Sequence, residues 1–327
     1  MTEHMQSPST ACGQAQFRTD VRLVHAPDRK RTGLQRGIRV VWFPDNIGNL
    51  VWDHGPELLG PELRAVLDDA DMLCSDEGVR PGSDRNAVFL TTLCPGPCDL
   101  ARFQETDFVI VGCGGLGSQI AIQLAALGAR HFMLIDGDRI EASNLNRLTF
   151  ATAADIGLPK TETLKGYLEL RFGVSVQALS EFATGAAAVQ AILQRTRLPF
   201  LVLAGDDAHL ARRFLSAHHA AVSAPPPYLH VGYVGAHCMA GPLVAVAEDA
   251  CPFCGSAAEI IADAGFVAPS ALANNALIAG FAVSQIAIER LTRRSVLSGH
   301  RWLFDLQTGR TQLRPILKHP ECKVCQP

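Results

Sequence analysis

The chain has 327 residues, of which 48% are hydrophobic and 19% charged, and its formal net charge is -3. This length suits one large α/β domain with a smaller module. The near balance of charges excludes a protein that holds nucleic acid by bulk electrostatic attraction. The sequence contains no run of about 18 apolar residues, so it predicts no membrane span. The first ten residues lack the pattern of a secretory signal. We therefore expect a cytoplasmic enzyme that binds neither nucleic acid nor a membrane.

The first 80 residues predict a small module behind an irregular terminus. Residues 1–16 are polar and aperiodic, which is typical of a disordered segment. From residue 17, alternating apolar residues predict short strands, and residues 46–49 predict a turn into an extended segment at 50–52. Leucines with helical spacing follow at 58–67, and residues 78–84 have linker composition. We interpret residues 17–80 as a strand-and-helix module.

From Phe108 onward the sequence alternates apolar strands with helices. The runs that predict strands lie at 108–111, 131–135, 174–178, 200–203, 243–246, 301–306 and 311–316. The segments that predict helices lie at 120–127, 159–172, 186–195 and 270–291. Continuous apolar strands separated by helices are typical of a doubly wound, mostly parallel sheet. The predicted fold class is therefore α/β and Rossmann-like, with residues 81–327 as the main domain.

A glycine-rich loop follows the first of these strands and opens a helix. Its sequence, GCGGLG, contains the glycines Gly112, Gly114, Gly115 and Gly117. Glycines let phosphates approach the backbone, and the N-terminus of a helix offers free N–H groups and positive potential. Asp136 follows the next strand, where an acid accepts hydrogen bonds from ribose hydroxyls. This spacing predicts a nucleotide site without choosing between NAD and ATP.

The segment after Asp136 favours a triphosphate. It contains Asp138, Asn144 and Arg147, and Lys160 follows in the sequence GLPK. Arginine and lysine neutralise phosphate charge, and arginine can do so with two hydrogen bonds. A dehydrogenase has no evident need for these cations at this position. We therefore predict that the nucleotide is ATP.

Two C-x-x-C pairs predict a metal site. Their four cysteines are Cys251, Cys254, Cys322 and Cys325. Four thiolates form a closed tetrahedral zinc site that leaves no position for a substrate. We predict a structural zinc ion that ties the C-terminal segment to the core. A further close pair, Cys94 and Cys98, has no second half and is interpreted as a loop.

Together these motifs resemble the bacterial adenylyltransferase branch of the ubiquitin-activating superfamily, the ThiF/MoeB-like enzymes. The shared patterns are GCGGLG, DxDxIExSNLNR, GLPK and the two C-x-x-C pairs. Shorter matches, such as HVGYV at 230–234 and the Asn274-Asn275 pair, resemble the members that adenylate the microcin C precursor peptide. The resemblance implies that a carboxylate attacks the α-phosphorus of ATP with the help of Mg²⁺, that pyrophosphate leaves, and that the enzyme is a homodimer.

The resemblance also implies roles for individual residues. It places Asp136 on the ribose, and Asn144, Arg147 and Lys160 beside the phosphates. Arg85 resembles the arginine that members of this family donate across the dimer interface. These residues, together with Asp138 and the glycines of the loop, form the expected nucleotide site.

A catalytic acid that holds Mg²⁺ is expected after the strand at 200–203, where Asp206 and Asp207 stand side by side. Alignment on the strand favours Asp207, which Arg212 follows as in the molybdopterin-synthase activators. Alignment on the microcin-type enzymes favours Asp206. We prefer Asp207, and the alternative is that both acids only cap a helix, since Asp is common at that position.

The N-terminal module bears on the identity of the acceptor. A strand meander followed by a helix resembles the winged-helix clamp that binds a leader peptide as an added strand. We therefore expect the acceptor to be the C-terminal carboxylate of a ribosomally synthesised precursor peptide. Alternatives stay open: the module is a dimerisation or packing appendage, the acceptor is a ubiquitin-like sulfur carrier ending in Gly-Gly, or the protein is a nucleotide-binding scaffold without turnover.

Overall fold

The structure is a computed structural model that describes residues 16–18, 20–27, 30–44, 47–74, 85–94, 98–221, 225–254 and 269–326. The chain folds into two compact units, Met1–Cys98 and Asp99–Pro327. Two predicted features fall outside the described residues, namely the linker at 78–84 and the irregular terminus at 1–16, apart from Gln16, which begins a strand instead.

The first unit combines short antiparallel strands with helices. Its strands are β1 (Gln16–Phe17), β2 (Arg22–His25), β3 (Arg31–Arg36), β4 (Arg39–Pro44) and β5 (Leu73–Cys74). Its helices are α1 (Ile47–His54), α2 (Pro61–Asp69) and α3 (Arg85–Thr92), with a 3-10 turn at Pro56–Leu58. Strands β2, β3 and β4 form an antiparallel meander, and β1 pairs with β5. The helical spacing at 58–67 is confirmed by α2, where Leu67 is buried.

Helix α1 occupies most of the segment that was expected to be a turn and an extended strand, so the prediction for residues 47–52 is wrong. Val51 is buried and packs in one cluster with Leu34 of β3. Gly48 lies so close to Thr32 that a Cβ there would come within 2.3 Å of the Thr32 hydroxyl oxygen. The helix is therefore selected by burial against the meander, a contact that local propensity does not encode.

The second unit carries the main sheet. Its strands are β6 (Asp107–Val111), β7 (His131–Ile135), β8 (Ser175–Leu179), β9 (Pro199–Leu203), β10 (Tyr228–Val234), β11 (His237–Val244), β12 (His300–Asp305) and β13 (Thr311–Pro315). Its helices are α4 (Leu100–Glu105), α5 (Gly115–Ala126), α6 (Lys160–Phe172), α7 (Gly185–Arg195), α8 (Ala208–Ala221) and α9 (Leu272–Thr292), with 3-10 turns at Ala142–Asn144 and Ala153–Asp155. Most predicted elements are confirmed to within a few residues.

The predictions missed one strand and misplaced another. Strand β10 was not predicted, because His230 and Gly232 interrupt its apolar residues. It pairs in parallel with β9 and antiparallel with β11, with an irregularity between Leu229 and Val231. Strand β11 begins at His237, well before the predicted run at 243–246. Pairing with neighbours on both sides, rather than local pattern, defines this hairpin.

The sheet order is β13-β12-β11-β10-β9-β6-β7-β8. Neighbouring strands are parallel from β8 to β10, and β11, β12 and β13 extend the sheet in antiparallel fashion. The predicted α/β class with a Rossmann-like sheet is therefore confirmed. The chain runs outward through β6, β7 and β8 and then returns to place β9 beside β6. This reversal creates a switch point at the carboxyl ends of β6 and β9, where open α/β sheets bind their ligands.

Helix α9 is long and apolar enough, by length and composition, to cross a membrane. More than half of its apolar window is nevertheless buried in the protein. Ile278, Ala282 and Ile286 are fully buried, and the helix packs beside α5. Buried core helices meet the same criteria, so α9 gives no argument for a membrane span.

The C-terminal half of α9 holds a buried ionic cluster. Arg102 Nη2 lies 3.5 Å from Glu289 Oε1, and the neighbouring Arg290 also donates to the Glu289 carboxylate. The Glu289 and Arg290 side chains are only 4% and 2% exposed. Arg290 also lies over the Phe200 ring of β9, 4.8 Å from its centroid. One carboxylate therefore compensates two guanidinium groups beneath the sheet.

Replacing Glu289 with alanine should lower the free energy of unfolding by about 3–5 kcal/mol, because two buried guanidinium groups lose their carboxylate. Urea-induced unfolding measures this change. The matched control is Glu169→Ala on α6, an exposed glutamate of the same unit, which we expect to shift stability by less than about 0.5 kcal/mol. A loss for Glu289→Ala as small as that of the control would contradict the stabilising role of the cluster.

Candidate active site

The glycine loop and the loop after β9 touch at the switch point. Gly112 follows β6 and has a φ of +92°, which disfavours any other residue. A Cβ at Gly112 would also lie 2.7 Å from the backbone nitrogen of Gly205, in the loop after β9. The loop predicted to hold phosphates thus lies directly beside the loop that carries the two candidate acids.

The remaining glycines shape the entrance to α5. Gly117 packs so closely against the loop that a Cβ there would come within 1.8 Å of the Gly112 carbonyl oxygen. Gly114 is the N-cap residue of α5, and the space around its Cβ position is open. The first N–H groups of a helix have no partners within it, and they carry the positive end of its dipole. The open side of Gly114 is therefore suited to an anion.

Asp136 ties the segment after β7 to the glycine loop. Its Oδ2 accepts a hydrogen bond of 2.6 Å from the Cys113 N–H, and its Oδ1 accepts one of 2.8 Å from the Asp138 N–H. Burial raises the pKa of the Asp136 carboxyl, while these N–H groups and the positive charge of Lys160 act in the opposite direction. The acid predicted to bind ribose thus lies against the predicted phosphate loop.

Lys160 is the first residue of α6 and lies at the same edge of the sheet. Its Nζ is 2.8 Å from Asp138 Oδ2, and its backbone N–H donates to the Asp138 carbonyl. The Lys160 side chain is 11% exposed, whereas that of Asp138 is 53% exposed. An exposed carboxylate forms a weak ion pair, so an incoming phosphate can compete with Asp138 for the lysine.

Arg147 lies across the start of α5. A Cβ at Gly115 would meet Arg147 Cδ at 2.8 Å, so the stem of the arginine rests on this glycine. One nitrogen of the guanidinium, Nη1, donates to the Ser143 carbonyl and to Asn146 Oδ1, each at 2.9 Å. The structure therefore brings Arg147 to the glycine loop.

Asn144 caps its own turn. Its Oδ1 accepts a hydrogen bond from the Glu141 N–H at 3.3 Å, and its Nδ2 donates to Ser143 Oγ at 3.2 Å. The residue is buried. These hydrogen bonds stabilise the turn that precedes Arg147. The expected contact of Asn144 with phosphate stays a prediction.

The two candidate acids differ in their hydrogen bonds. Asp207 Oδ1 accepts from the N–H groups of His209 and Leu210, at 2.8 and 3.0 Å, and so caps α8. The carboxylate of Asp206 has no hydrogen bond or ion pair to any residue in the described part of the chain. Both residues are exposed. Which of them holds Mg²⁺ stays a prediction, and the cap leaves Asp206 the freer carboxylate.

Two other arginines singled out by the sequence have distinct surroundings. Arg212 on α8 lies over the Phe253 ring, 4.5 Å from its centroid, and Phe253 belongs to the first cysteine pair. Arg85 is the first residue of α3 in the first unit and is exposed. Its donation to a partner's site stays a prediction.

Asn275 is a site residue that the sequence analysis used only as part of a match. It is fully buried in the first turns of α9, and a Cβ at Gly115 would lie 2.3 Å from its Nδ2. That nitrogen also donates to Ser270 Oγ, and Asn146 donates to the Ser270 carbonyl. The start of α9 is thereby tied to the arginine segment and to the glycine loop. The doubled asparagine at the start of an apolar helix was the available signal.

The four cysteines of the C-x-x-C pairs converge. Neighbouring sulfurs are 3.5 to 3.8 Å apart, all four lie within 4.8 Å of one another, and all four residues are buried. These separations are too long for a disulfide bond. Sulfurs at the corners of a tetrahedron 2.3 Å from one ion would lie about 3.8 Å apart, so the cluster fits a four-coordinate metal.

Comparison with known proteins places this fold and site in a family. Residues 89–324, which are more than half of the chain, match the ThiF family model. The chain belongs to the ThiF family. This result confirms the resemblance inferred from the glycine loop, the GLPK motif and the cysteine pairs.

Curated relatives match over shorter stretches. The NEDD8-activating enzyme E1 catalytic subunit of Caenorhabditis elegans is 33% identical over 94 residues, which is 28% of this chain and 22% of that protein. The adenylyltransferase and sulfurtransferase MOCS3 of Drosophila willistoni is 41% identical over 81 residues, which is 24% of this chain and 18% of that protein. The matched stretch thus spans about a fifth of each of these relatives.

Solved structures of E. coli MccB match nearly the whole chain. The structure of MccB with ATP has a TM-score of 0.74 and 19% identity, and the match covers 96% of this chain and 99% of that one. The structure of the microcin C7 biosynthetic enzyme MccB with N-formylated MccA has a TM-score of 0.74 and 17% identity, over 95% and 99% of the two chains. At this identity the likeness establishes a shared fold.

Proposed function

We propose that this chain is an ATP-dependent adenylyltransferase that activates a carboxylate as an acyl adenylate. The observation that carries the proposal is the convergence of Gly114, Asp136, Arg147 and Lys160 beside the acidic loop after β9. A dinucleotide site needs the first two features but not the two cations. The name of the MOCS3 relative and the bound ATP of the MccB structure support this choice.

In the proposed reaction, an oxygen of the acceptor carboxylate attacks the α-phosphorus of ATP. A new P–O bond forms between this oxygen and the α-phosphorus. The bond from the α-phosphorus to the oxygen that bridges the α- and β-phosphates breaks, and pyrophosphate leaves with that electron pair. Arg147 and Lys160 offset the charge that builds up on the phosphates, and the N-terminus of α5 contributes its N–H groups. A bound Mg²⁺ would neutralise further charge, with Asp206 or Asp207 as its protein ligand.

We propose that the cysteine cluster binds one structural zinc ion. Four buried thiol groups with tetrahedral spacing suit Zn²⁺ and leave no open position for catalysis. The pairs lie 71 residues apart in sequence, so the metal holds the C-terminal segment against the core of the second unit. We assign it no step in the reaction.

We propose that the acceptor is the C-terminal carboxylate of a precursor peptide, and that the enzyme acts as a homodimer with Arg85 donated to the partner's site. The support is the first unit, because the MccB structures, one with the peptide MccA, match this chain over 95% or more of its length, including that unit. The rival acceptor is a carrier protein. The name of a relative, the SAMP-activating enzyme E1 of Haloferax volcanii, suggests such an acceptor for that relative.

ATP–pyrophosphate exchange with Mg²⁺, across candidate peptides and a Gly-Gly-ended carrier, tests the function. We expect exchange with a peptide and a loss of about 100-fold or more in one of Asp206→Asn and Asp207→Asn. Because Asp207 caps α8 and asparagine caps a helix about as well as aspartate, the stability effect is tested with alanine: Asp207→Ala should lower thermal stability, whereas Asp206→Ala should not. Exchange with the carrier alone would contradict the peptide as acceptor and favour the carrier. ATP binding without exchange for any acceptor would indicate a nucleotide-binding scaffold without turnover.

The interpretation of residues 17–80 as a peptide clamp is tested on the same substrate. Removing residues 1–80 should weaken peptide binding at least about tenfold while the affinity for ATP is kept, because the nucleotide site is built from the second unit. Calorimetric titration measures both ligands on one preparation. An unchanged peptide affinity would favour a dimerisation or packing role.

A further inference from the structure

A half-exposed phenylalanine lies just beyond the end of β8. Phe182 follows Leu179 by three residues, and 53% of its surface is exposed. The loop around it is anchored on both sides. Ser180 shares a 2.7 Å hydrogen bond with Thr161 in the first turn of α6, and Ala183 is buried in the core. The exposure of the ring is therefore imposed by an anchored backbone.

The ring is also held against the predicted ribose segment. A Cβ at Gly137 would lie 2.6 to 2.8 Å from three neighbouring atoms of the Phe182 ring. The φ of Gly137 is not positive, so its backbone conformation does not demand glycine. Instead, contact with the Phe182 ring leaves no room for a side chain at Gly137. Since Gly137 separates Asp136 from Asp138, the ring lies beside the acid predicted to bind ribose.

The order of strands indicates what this ring faces. Strands β6, β7 and β8 are neighbours, and the glycine loop, Asp136 and Phe182 follow them in turn. With strands about 4.8 Å apart, this row extends about 10 Å from the glycine loop. A nucleotide with its triphosphate at Gly114 and its ribose at Asp136 would extend its base toward the end of β8. The proposed function places no other group in that position.

We infer that Phe182 is the surface on which the adenine base of ATP stacks. This inference rests on the proposed function and adds a residue that binds the base. A flat aromatic ring supports a purine by dispersion and by displacement of water, as aromatic side chains do for the bases of single-stranded nucleic acids. The competing explanation is that the ring only covers Gly137 and stabilises the loop.

The test compares two ligands that differ in whether they carry a base. Calorimetric titration of the full chain measures the Kd of ATP and the Kd of inorganic tripolyphosphate. We expect Phe182→Ala to weaken ATP about tenfold and to leave tripolyphosphate within about twofold, whereas Phe182→Tyr keeps both affinities. The matched control is Leu198→Ala, because Leu198 is 37% exposed and directly precedes β9, at the amino ends of the parallel strands rather than the carboxyl ends.

Three outcomes would overturn the inference. An unchanged ATP affinity in Phe182→Ala shows that the base does not stack on the ring. An equal weakening of ATP and tripolyphosphate shows that the ring only supports the loop, and thermal unfolding of the variant would then show the accompanying loss of stability. Failure of the unsubstituted chain to bind ATP overturns the proposed function itself, which distinguishes that failure from the first two.

Discussion

Replacing Lys160 with alanine should lower ATP–pyrophosphate exchange by about 100- to 1,000-fold, the usual cost of removing a positioned charge that stabilises a transition state. Lys160 Nζ is held 2.8 Å from Asp138 Oδ2, at the edge of the sheet that carries the glycine loop. Because phosphate charge grows as the bond to pyrophosphate breaks, we expect the loss mainly in kcat. Steady-state exchange at saturating ATP measures it.

The control for Lys160 is Lys165→Ala, on the same helix and five residues further along. It removes an equal charge away from the predicted phosphates and should keep exchange within about twofold. Asp138→Asn separates the roles of the ion pair, because it frees the lysine without removing it and should retain most of the exchange. Full activity in Lys160→Ala would contradict the assignment of this residue to the phosphates.

Removal of the proposed zinc ion from the cysteine cluster should lower the Tm by about 10 °C or more, because metal binding contributes directly to folding in closed four-thiolate sites. The cluster lies in one core with Tyr228, Val244 and Val324, so its loss releases the C-terminal segment from the sheet. Chelator treatment followed by thermal unfolding measures the effect, and added Zn²⁺ should reverse it.

Substitution separates metal binding from the general effect of losing a buried thiol. Cys322→Ser should yield protein with less than one zinc per chain, measured by elemental analysis, and should reproduce the low Tm of the chelated protein. Cys238→Ala removes a fully buried thiol of β11 outside the cluster and should retain one zinc per chain. Full zinc content in Cys322→Ser would exclude the four-thiolate site.

The parts of the site that could be predicted are those with local chemistry. A strand, a glycine loop and a helix N-terminus are consecutive in sequence, so residues 108–117 predict a phosphate loop without reference to distant segments. The same holds for Asp136, which ends the next strand, and for each C-x-x-C turn. These features depend on backbone freedom and on ligand type, both of which are properties of the residues themselves.

Other features depend on contacts between distant segments. Helix α1 forms where a turn was expected because Gly48 and Val51 pack on the meander. The different hydrogen bonds of Asp206 and Asp207 follow from where α8 begins, and two adjacent acids in a sequence do not reveal which one caps a helix. The placement of Phe182 on Gly137 joins two loops 45 residues apart.

Sequence alone was sufficient for the family and the fold class, because chemistry of this kind is carried by short patterns with fixed spacing. Only the tertiary structure decided that Lys160 pairs with Asp138, that Asn275 rests against Gly115, and that an aromatic ring lies beyond the ribose acid. Those facts depend on how β6, β7, β8 and β9 are ordered in the sheet. Strand order is set by long-range packing, which no local pattern specifies.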